Sequence, residues 1–406
     1  MTQATDIATI KPSLSDDNPL ISFQKRAAAS FDGFPTKHHE NWLYWQPGTA
    51  LQASLTKPDF TEKPAVNSGA DIELINGKIV CSKHIEGLEI STNPASILAK
   101  HPLSVGLESS AIAQLNSVLF KHCICLEVTK TITEPIRLLN RFDFKASNAC
   151  GVSRLLVLVN EGVQAQFSIM HEQDIPHTAA SNTFIEYIGL SHSEGHMNHV
   201  FESSNAHSFF SNPVHLYEKA VCEQVRVVKG SALSRQDTEL HFHDEHASAS
   251  LQGVALLCAD NKHFNHLRVN HHKKDCDCEQ NFKHLLTDNA LTEFSGLVNV
   301  KVGAHGTNST QSNQNLLLSD NARVLSRPQL MIDADDVECG HGSTIGQLNP
   351  EEVHYIRSRG LNEAQAKALL TRGFAEEIIF KINDDTLQKE LSAYLDERLP
   401  NFLNNV

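Results

Sequence analysis

The sequence lacks the features of membrane, secreted and nucleic-acid-binding proteins. No stretch approaches the roughly 18 consecutive apolar residues that a membrane-spanning helix needs. The first 21 residues have no apolar core segment and only one base, Lys11, which argues against a secretory signal and a transit peptide. With 34 Lys and Arg against 48 Asp and Glu, the formal charge of −14 argues against a broad nucleic-acid or anionic-membrane surface. We therefore expect a cytoplasmic protein that binds neither nucleic acid nor membrane.

Cysteine pairs of the C-x-x-C type are also missing, although the chain has nine cysteines and 23 histidines. Their absence argues against a zinc ribbon and a thioredoxin-like motif. In a long cytosolic chain we expect thiols rather than a disulfide framework. Thiolate and imidazole groups are ligands of iron and zinc, so the composition raises the question of a metal site. Most of the histidines are nevertheless expected in turns and on faces of the β structure described next.

A long β region is predicted from residue 71 onward. Short apolar runs alternate there with polar turns, as in Ile72–Ile75, Leu155–Val159 and Phe264–Val269. No helical pattern of 10–15 residues alternates with the runs, which argues against a doubly wound α/β fold. Few Asn-Gly or Asp-Gly hairpin signals occur, which favours a solenoid over a sandwich of hairpins. The pattern of segment 251–254 recurs 43 positions later in segment 294–297. If the two segments are two rungs apart, each rung has about 20 residues.

Helical segments are predicted on both sides of the β region. The segment Phe23–Phe31 has the composition of a short helix. The predicted organisation is an N-terminal arm and helical region over 1–70, a β core over 71–346 and a C-terminal helical domain over 347–406. Within the first region, residues 1–20 are expected to form a flexible arm and residues 47–70 a loop.

Three helices are predicted in the C-terminal domain. Asn362 and Gln365 form the pattern of a capping box in front of a helix over 363–371. Gly373 is expected to end that helix, and residues 374–380 to form a second. Asp384 or Asp385 is expected to cap a third helix, which ends before Pro400.

The first candidate site is a histidine cluster over 240–246. On a strand, His241 and His243 would share one face, and Glu245 follows closely. This spacing is how cupin barrels present metal ligands. A stand-alone, cupin-type metal-dependent enzyme is therefore one alternative, and a polar strand face or solvated corner is the other.

The second candidate is the pair Cys276 and Cys278. On a strand both thiols would face one way and could hold a soft metal. Asp275 and Asp277 would raise the thiol pKa values and make the thiolates less available, so a structural role is favoured.

The third candidate is Cys339 with His341, inside the glycine-rich segment 335–346. A thiolate and an imidazole on an exposed edge can bind iron or zinc, or can act as nucleophile and base. Two ligands do not complete a four-coordinate site, and a partner subunit is the natural source of the others. The residues alone leave a metal half-site and a structural turn as two interpretations.

Several segments resemble the SufB/SufD family of iron–sulfur cluster assembly scaffolds. The resemblance is specific over 225–380 and weak over 80–220; the chain is more similar to the SufD branch than to the longer SufB chains. It rests on residues 314–322, 328–332, 335–346 and 355–360, on Ala366, Leu369, Leu370, Gly373 and Phe374, and on 294–296, 303–307 and Gln311. The stretch Phe34-Pro35-Thr36 with Glu40-Asn41-Trp42 resembles the N-terminal signature of the family, with Leu43 where a Lys is more usual.

The resemblance implies a right-handed parallel β-helix flanked by N- and C-terminal α-helical regions. It implies a scaffold that is not an enzyme on its own, in which Cys339 and His341 face a SufB-like scaffold across a nascent, transient iron–sulfur cluster. The resemblance also implies a SufC-like ABC ATPase partner. This chain has no G-x-x-x-x-G-K-[ST] P-loop, so any nucleotide chemistry is expected in the partner. The positions implied to dock that ATPase are Ser358, Arg359, Gly360, Ala366, Leu369, Leu370, Gly373 and Phe374.

Other functions are left open at this point. Besides the cupin-type enzyme, they are a β-helix polysaccharide lyase or hydrolase, against which the missing signal peptide argues, and a SufB-like scaffold that assembles clusters without a separate SufB. A homodimer of the isolated chain, the cluster type and the participation of a flavin are also left open. We expect no cofactor to be tightly bound in the isolated chain.

Overall fold

The computed structural model describes residues 14, 20–31, 68–92 and 110–403, most of them in strands. The helices are α1 (Ile21–Ser30), α2 (Ala111–Leu119), α3 (Pro350–Arg357), α4 (Glu363–Ile379) and α5 (Asp385–Leu403). The strands are β1 (Ile72–Ile75), β2 (Lys78–Ser82), β3 (Leu88–Ser91), β4 (Ile124–Val128), β5 (Ile136–Asp143), β6 (Cys150–Val159), β7 (Gln164–Asp174), β8 (Ala180–Gly189), β9 (Glu194–Phe201), β10 (Ser204–Leu216), β11 (Val221–Val228), β12 (Ser231–Phe242), β13 (Ser248–Leu257), β14 (Lys262–His271), β15 (Asp277–Leu286), β16 (Leu291–Val300), β17 (Asn308–Leu317), β18 (Arg323–Ile332) and β19 (Glu338–Gly346).

The strands alternate between two sheets, so the chain winds as a parallel β-solenoid. Sheet 1 has the order β19-β17-β15-β13-β11-β9-β7-β5-β1-β2, and sheet 2 the order β18-β16-β14-β12-β10-β8-β6-β4-β3. Neighbours within a sheet are one turn apart. Val221 pairs with Ser248 and Asp277 with Asn308, which are offsets of 27 and 31 residues. The predicted parallel solenoid with helices on both sides is confirmed.

The predicted rung of about 20 residues is wrong. Segments 251–254 and 294–297 lie on β13 and β16, in different sheets, and are therefore one and a half turns apart. Their shared glycine has a local cause. A Cβ on Gly253 would meet the ring of Phe282, and one on Gly296 would meet the amide of Gln311, so each glycine makes room for a large neighbour.

The two ends of the solenoid are built differently. At the N-terminal end β1 and β2 form an antiparallel hairpin through Asn76 and Gly77, both with positive φ, and β3 pairs antiparallel with β4. At the other end β18 and β19 are the last strands of their sheets. Within the described ranges no further strand pairs with their outer edges, so these edges present backbone groups that another chain can pair with.

The helices pack on parts of the outer faces of both sheets. Residues of α4 and α5 such as Ile378 and Leu395 pack against Val225 and Val254 of sheet 1. Helices α1 and α2 pack on sheet 2, where α2 buries Leu115. No helix in the described part of the chain is long and apolar enough to cross a membrane.

The solenoid interior contains histidines as well as apolar side chains. His171, His199, His263, His271 and His284 are all at most 7% exposed. The prediction that most histidines lie in turns and on faces is wrong for these five. Each lies on a strand where the side-chain alternation points it inward, and an Asn or Ser side chain lies within hydrogen-bond distance of His171, His263 and His284.

The C-terminal helices confirm the predicted starts of α4 and α5 and correct the rest of the prediction. The second helix predicted over 374–380 is part of α4, and α3 was not predicted. The capping box of Asn362 and Gln365 is present, and the Asp384 carboxylate accepts hydrogen bonds from two backbone N–H groups at the start of α5. Gly373 does not end a helix, because α4 runs through it and buries Ala375 beyond it. Pro400 lies inside α5, whose last turn is held by the buried Phe402.

Some predictions concern parts of the chain that the structure does not describe. The arm over 1–20 lies outside the described residues except for Leu14 and Leu20, and the loop over 47–70 except for 68–70. The stretch from Phe34 to Trp42 also lies outside them.

Candidate metal half-site

Cys339 and His341 lie on β19, the outermost strand of sheet 1. They are separated by one residue, so their side chains project from one face of the strand, with Cα atoms about 6.7 Å apart. In register, Cys339 pairs with Ser309 and His341 with Gln311. Ser309 and Gln311 are buried inside the solenoid. Cys339 and His341 therefore extend the same row of inward-facing side chains to the open end of the solenoid.

Cys339 is partly buried at this end. It packs against a small apolar cluster that includes Val298, Val300 and Ala304. Burial raises the pKa of the Cys339 thiol, and a hydrogen bond with the backbone of Ser309 partly offsets that rise. Cys339 is therefore a protonated thiol at neutral pH until a cation close by favours the thiolate.

His341 is exposed and available. Gln311 beneath it is engaged with the next turn, since its Nε2 donates to Gln280 Oε1 over 2.7 Å. Ser343, two residues further on, donates to Ser326 of β18 over 2.8 Å and links the two end strands. No hydrogen bond to the His341 ring is formed within the described ranges, so both ring nitrogens are open to a ligand.

The two side chains do not make a complete metal site. Among the described residues, no three or more His, Cys, Asp and Glu side chains are grouped to hold a metal ion. Cys339 and His341 thus provide two metal ligands, a soft thiolate sulfur and a borderline imidazole nitrogen. A four-coordinate site needs further ligands.

The cupin alternative is wrong, because the strands form a parallel solenoid and not a closed antiparallel barrel. His241 and His243 do share a face, with ring centroids 5.6 Å apart. Glu245 does not complete a triad with them: its Oε2 lies 3.4 Å from Lys274 Nζ.

Two partners of this histidine pair were missed by the sequence analysis. His215 Nδ1 lies 2.9 Å from His243 Nε2, and His241 Nδ1 lies 3.1 Å from His272 Nε2. The signal that could have found them is the spacing of 28 and 31 residues between the hydrogen-bonded partners, which is close to the 26 and 29 residues of one solenoid turn at this position.

Cys276 and Cys278 are both buried in the solenoid core. Burial raises the pKa of Cys276 to about 11 and that of Cys278 further. The Cys276 thiol donates to the backbone oxygen of Asp244 over 3.3 Å, and the Cys278 sulfur accepts from Gln280. Both are therefore packed, protonated thiols, as the structural interpretation expects.

The positions implied to dock an ATPase lie on α4 and in the turn between α3 and α4. Ser358, Arg359, Gly360 and Gly373 are exposed, and Leu369 is 49% exposed. The others contribute less surface: Leu370 is half-buried, Ala366 is fully buried, and Phe374 packs under Lys283, whose Nζ lies 4.5 Å from the ring centroid. Two further exposed aromatics, Tyr355 at 59% and Phe380 at 60%, extend this surface.

Comparison with known proteins identifies similar chains. The family model described as "SUF system FeS cluster assembly, SufBD core domain" matches residues 142–374, more than half of the chain. The iron–sulfur cluster assembly protein SufD of Escherichia coli is 24% identical over 392 residues, covering 91% of this chain and 90% of that protein.

Shorter matches have higher identity. An iron–sulfur cluster assembly SufBD family protein of Synechocystis is 31% identical over 205 residues, which is 50% of this chain and 45% of that protein. The SufD protein of Bacillus subtilis is 30% identical over 115 residues, 28% of this chain and 26% of that protein. The family match spans most of the solenoid, α3 and the first two thirds of α4.

Proposed function

Because the chain belongs to the SufBD family of iron–sulfur cluster assembly proteins, we propose that it is a scaffold subunit and not an enzyme in its own right. In this proposal its open solenoid end contacts a SufB-like scaffold, and its C-terminal helices contact a SufC-like ATPase. The observation that carries the proposal is the presence of Cys339 and His341 on the terminal strand β19.

The open end has the character of an interface. The exposed fractions of its large apolar side chains are 81% for Val302, 53% for Met331, 41% for Ile332 and 51% for Ile345. Apolar side chains beside an unpaired strand edge favour association with another chain by burial and by strand pairing. A second scaffold that covers this end would bring its own ligands to Cys339 and His341.

The ligands of the half-site suit an iron–sulfur cluster that is bound transiently and then released. Thiolate and imidazole from one chain hold iron only in part, so separating the two scaffolds releases the cluster. Histidine in place of cysteine also raises the reduction potential of a cluster. The raised pKa of Cys339 fits this use, because the thiol releases its proton only when the iron is present.

The ATPase would act through the C-terminal helices. The sequence carries no P-loop, so nucleotide hydrolysis belongs to a partner. Dimerisation of that ATPase would pull on α3 and α4 and thereby open the scaffold interface. All nine cysteines are free, which fits the cytosol as the place of assembly.

The test is cluster assembly in a complex reconstituted from this chain, a SufB-like scaffold and a SufC-like ATPase. We expect the Cys339→Ala and His341→Ala variants to bind both partners and to lose most of the cluster, measured by visible absorption and by iron and sulfide content. Ser343→Ala on the same strand is the matched control. Because Cys339 and His341 do not hold the fold together, the thermal unfolding of both variants should stay close to that of the wild type.

Unchanged cluster yield in the Cys339→Ala, His341→Ala double variant would contradict the half-site. Full cluster assembly by this chain without the SufB-like scaffold would contradict the division of ligands between two subunits. It would support the alternative of a self-assembling scaffold.

A further inference from the structure

Gln311 of β17 is the inward-facing residue directly next to His341 of β19. The two residues are partners in the parallel register of sheet 1, on strands that lie about 4.8 Å apart. Gln311 is buried, with 2% of its surface exposed, whereas His341 at the open end is exposed. Gln311 therefore lies immediately behind His341 in the interior of the solenoid.

The amide group of Gln311 is held in place from two sides. Its Nε2 donates to Gln280 Oε1 of β15 over 2.7 Å, and Gln280 Nε2 in turn donates to the sulfur of Cys278. On the facing sheet, Gly296 leaves room for the amide, because a Cβ at that position would collide with its atoms. The orientation of the Gln311 amide is therefore set by its neighbours on β15 and β16.

The oxygen of this amide, Gln311 Oε1, is buried and has no hydrogen-bond partner among the described residues. Buried acceptors are paired in the great majority of cases, so an unpaired one requires an explanation. The oxygen and the nitrogen of an amide lie on opposite sides of the side-chain axis. Because Nε2 is turned toward β15, Oε1 is left on the side of β19, where His341 is the residue of the same row.

We propose that Gln311 is the positioning residue of His341 in the half-site. Gln311 Oε1 accepts the proton of one ring nitrogen of His341, so that the lone pair of the other nitrogen is directed toward the iron. Such an acceptor behind a metal-bound histidine fixes the tautomer and the orientation of the ring. The inference rests on the proposed function, because it takes His341 to be an iron ligand.

The His341 ring has the freedom to make this hydrogen bond. It is exposed at the open end and forms no other hydrogen bond within the described part of the chain, so it reaches Gln311 by rotation about its side-chain bonds. An uncharged amide is also a weaker acceptor than a carboxylate. The bound imidazole is therefore less basic than one backed by a carboxylate, which suits a cluster that is released after assembly.

The test measures iron binding in the complex reconstituted from this chain, a SufB-like scaffold and a SufC-like ATPase. Gln311→Met removes the acceptor and nearly keeps the size of the side chain. The variant is expected to fold, since Leu251 occupies the same row deeper in the solenoid. We expect it to bind iron about 10–100-fold more weakly in competition with a chelator. The reduction potential of the remaining cluster should rise, because the imidazole donates less electron density to the iron.

A double-mutant cycle separates positioning from a structural role. Gln311→Met should weaken the site only while His341 is present, so the same change in a His341→Ala background should not further weaken the residual iron binding. Asn313→Leu is the matched control, because it removes another buried amide from β17, in the row of Ser343. It should leave both the iron affinity and the cluster potential unchanged.

Three outcomes would overturn the inference. Equal iron affinity and potential in the wild type and Gln311→Met, while His341→Ala loses the cluster, would show that His341 binds iron without Gln311; the proposed function would then stand. An equal loss caused by Gln311→Met in both backgrounds would assign Gln311 a structural role. If His341→Ala keeps the cluster, the proposed half-site fails and the inference fails with it.

Discussion

The buried histidines make the interior of the solenoid sensitive to acid. Burial lowers the pKa of His171 and His271 to about 3 and that of His284 to about 4, so these rings are neutral in the folded chain. In the unfolded chain a histidine binds a proton below about pH 6.5. Unfolding therefore takes up protons between these limits, and the free energy of unfolding falls as pH falls below about 6.5.

His271 offers the sharpest test of this dependence. It stacks on Phe242 at 4.6 Å, and neither of its ring nitrogens has a hydrogen-bond partner in the described structure. We predict that His271→Leu leaves stability at pH 7.5 equal or higher. The slope of the unfolding free energy between pH 4.5 and 6 should decrease by up to about 1.4 kcal/mol per pH unit, the value for one proton.

The measurement is urea unfolding of both chains at several pH values. The exposed His354 of α3 provides the control, since His354→Ala should leave the slope unchanged. An identical pH slope in His271→Leu and the wild type would show that His271 is not held neutral by burial.

At the scale of single residues, the sequence could indicate only part of the site. Cys339 and His341 were predicted because they lie one residue apart in a segment that resembles a known family. The sequence analysis noted His241 and His243, but their partners His215 and His272 are in other turns. They meet only because β10 pairs with β12 and β12 with β14 at offsets of 26 and 29 residues at this position, a register that no local pattern reveals.

At the scale of elements, the starts of helices α4 and α5 were easier to predict than their ends. The caps at Asn362 and Asp384 depend on side chains that bond their own backbone a few residues away, so they are visible in the sequence. The continuation of α4 through Gly373 depends on contacts that Ala375 and Ile378, beyond the glycine, make with sheet 1, which override its low helix propensity. The turn length was missed because β13 and β16 share a pattern although they belong to different sheets.

The continuous α4 makes a prediction for Gly373→Ala. The glycine is exposed, and a Cβ added to it would meet nothing within 4 Å. Alanine should therefore raise the free energy of unfolding by about 0.5–1 kcal/mol, because it restricts the unfolded chain and favours helix. Urea unfolding of the full chain measures the change.

Gly360, between α3 and α4, is the matched control. A Cβ there also meets nothing within 4 Å, but its φ is +104°. Gly360→Ala should therefore destabilise the chain through backbone strain alone. A destabilised Gly373→Ala would mean that α4 is not helical at this position.

At the scale of the whole molecule, the fold separates two exposed surfaces. The solenoid end carries Met331 and Ile345, and the C-terminal helices carry Tyr355, Leu369 and Phe380. The sequence predicted both regions but could not say which apolar residues are exposed. Strand and helix patterns look alike whether a face is covered within the chain or left for a partner, and only the end of the sheet order makes β18 and β19 different from the strands before them.

This separation predicts that binding to one partner can be weakened without weakening binding to the other. Met331→Asp with Ile345→Asp places charge on the solenoid end, so we expect binding to a SufB-like scaffold to weaken tenfold or more while ATPase binding is kept. Phe380→Asp, on a side chain that is 60% exposed, should weaken ATPase binding and keep the scaffold contact. Titration calorimetry with each partner alone measures both affinities. Loss of both partners by either variant would show that the surfaces are not independent, and loss of neither would place the contacts elsewhere on the molecule.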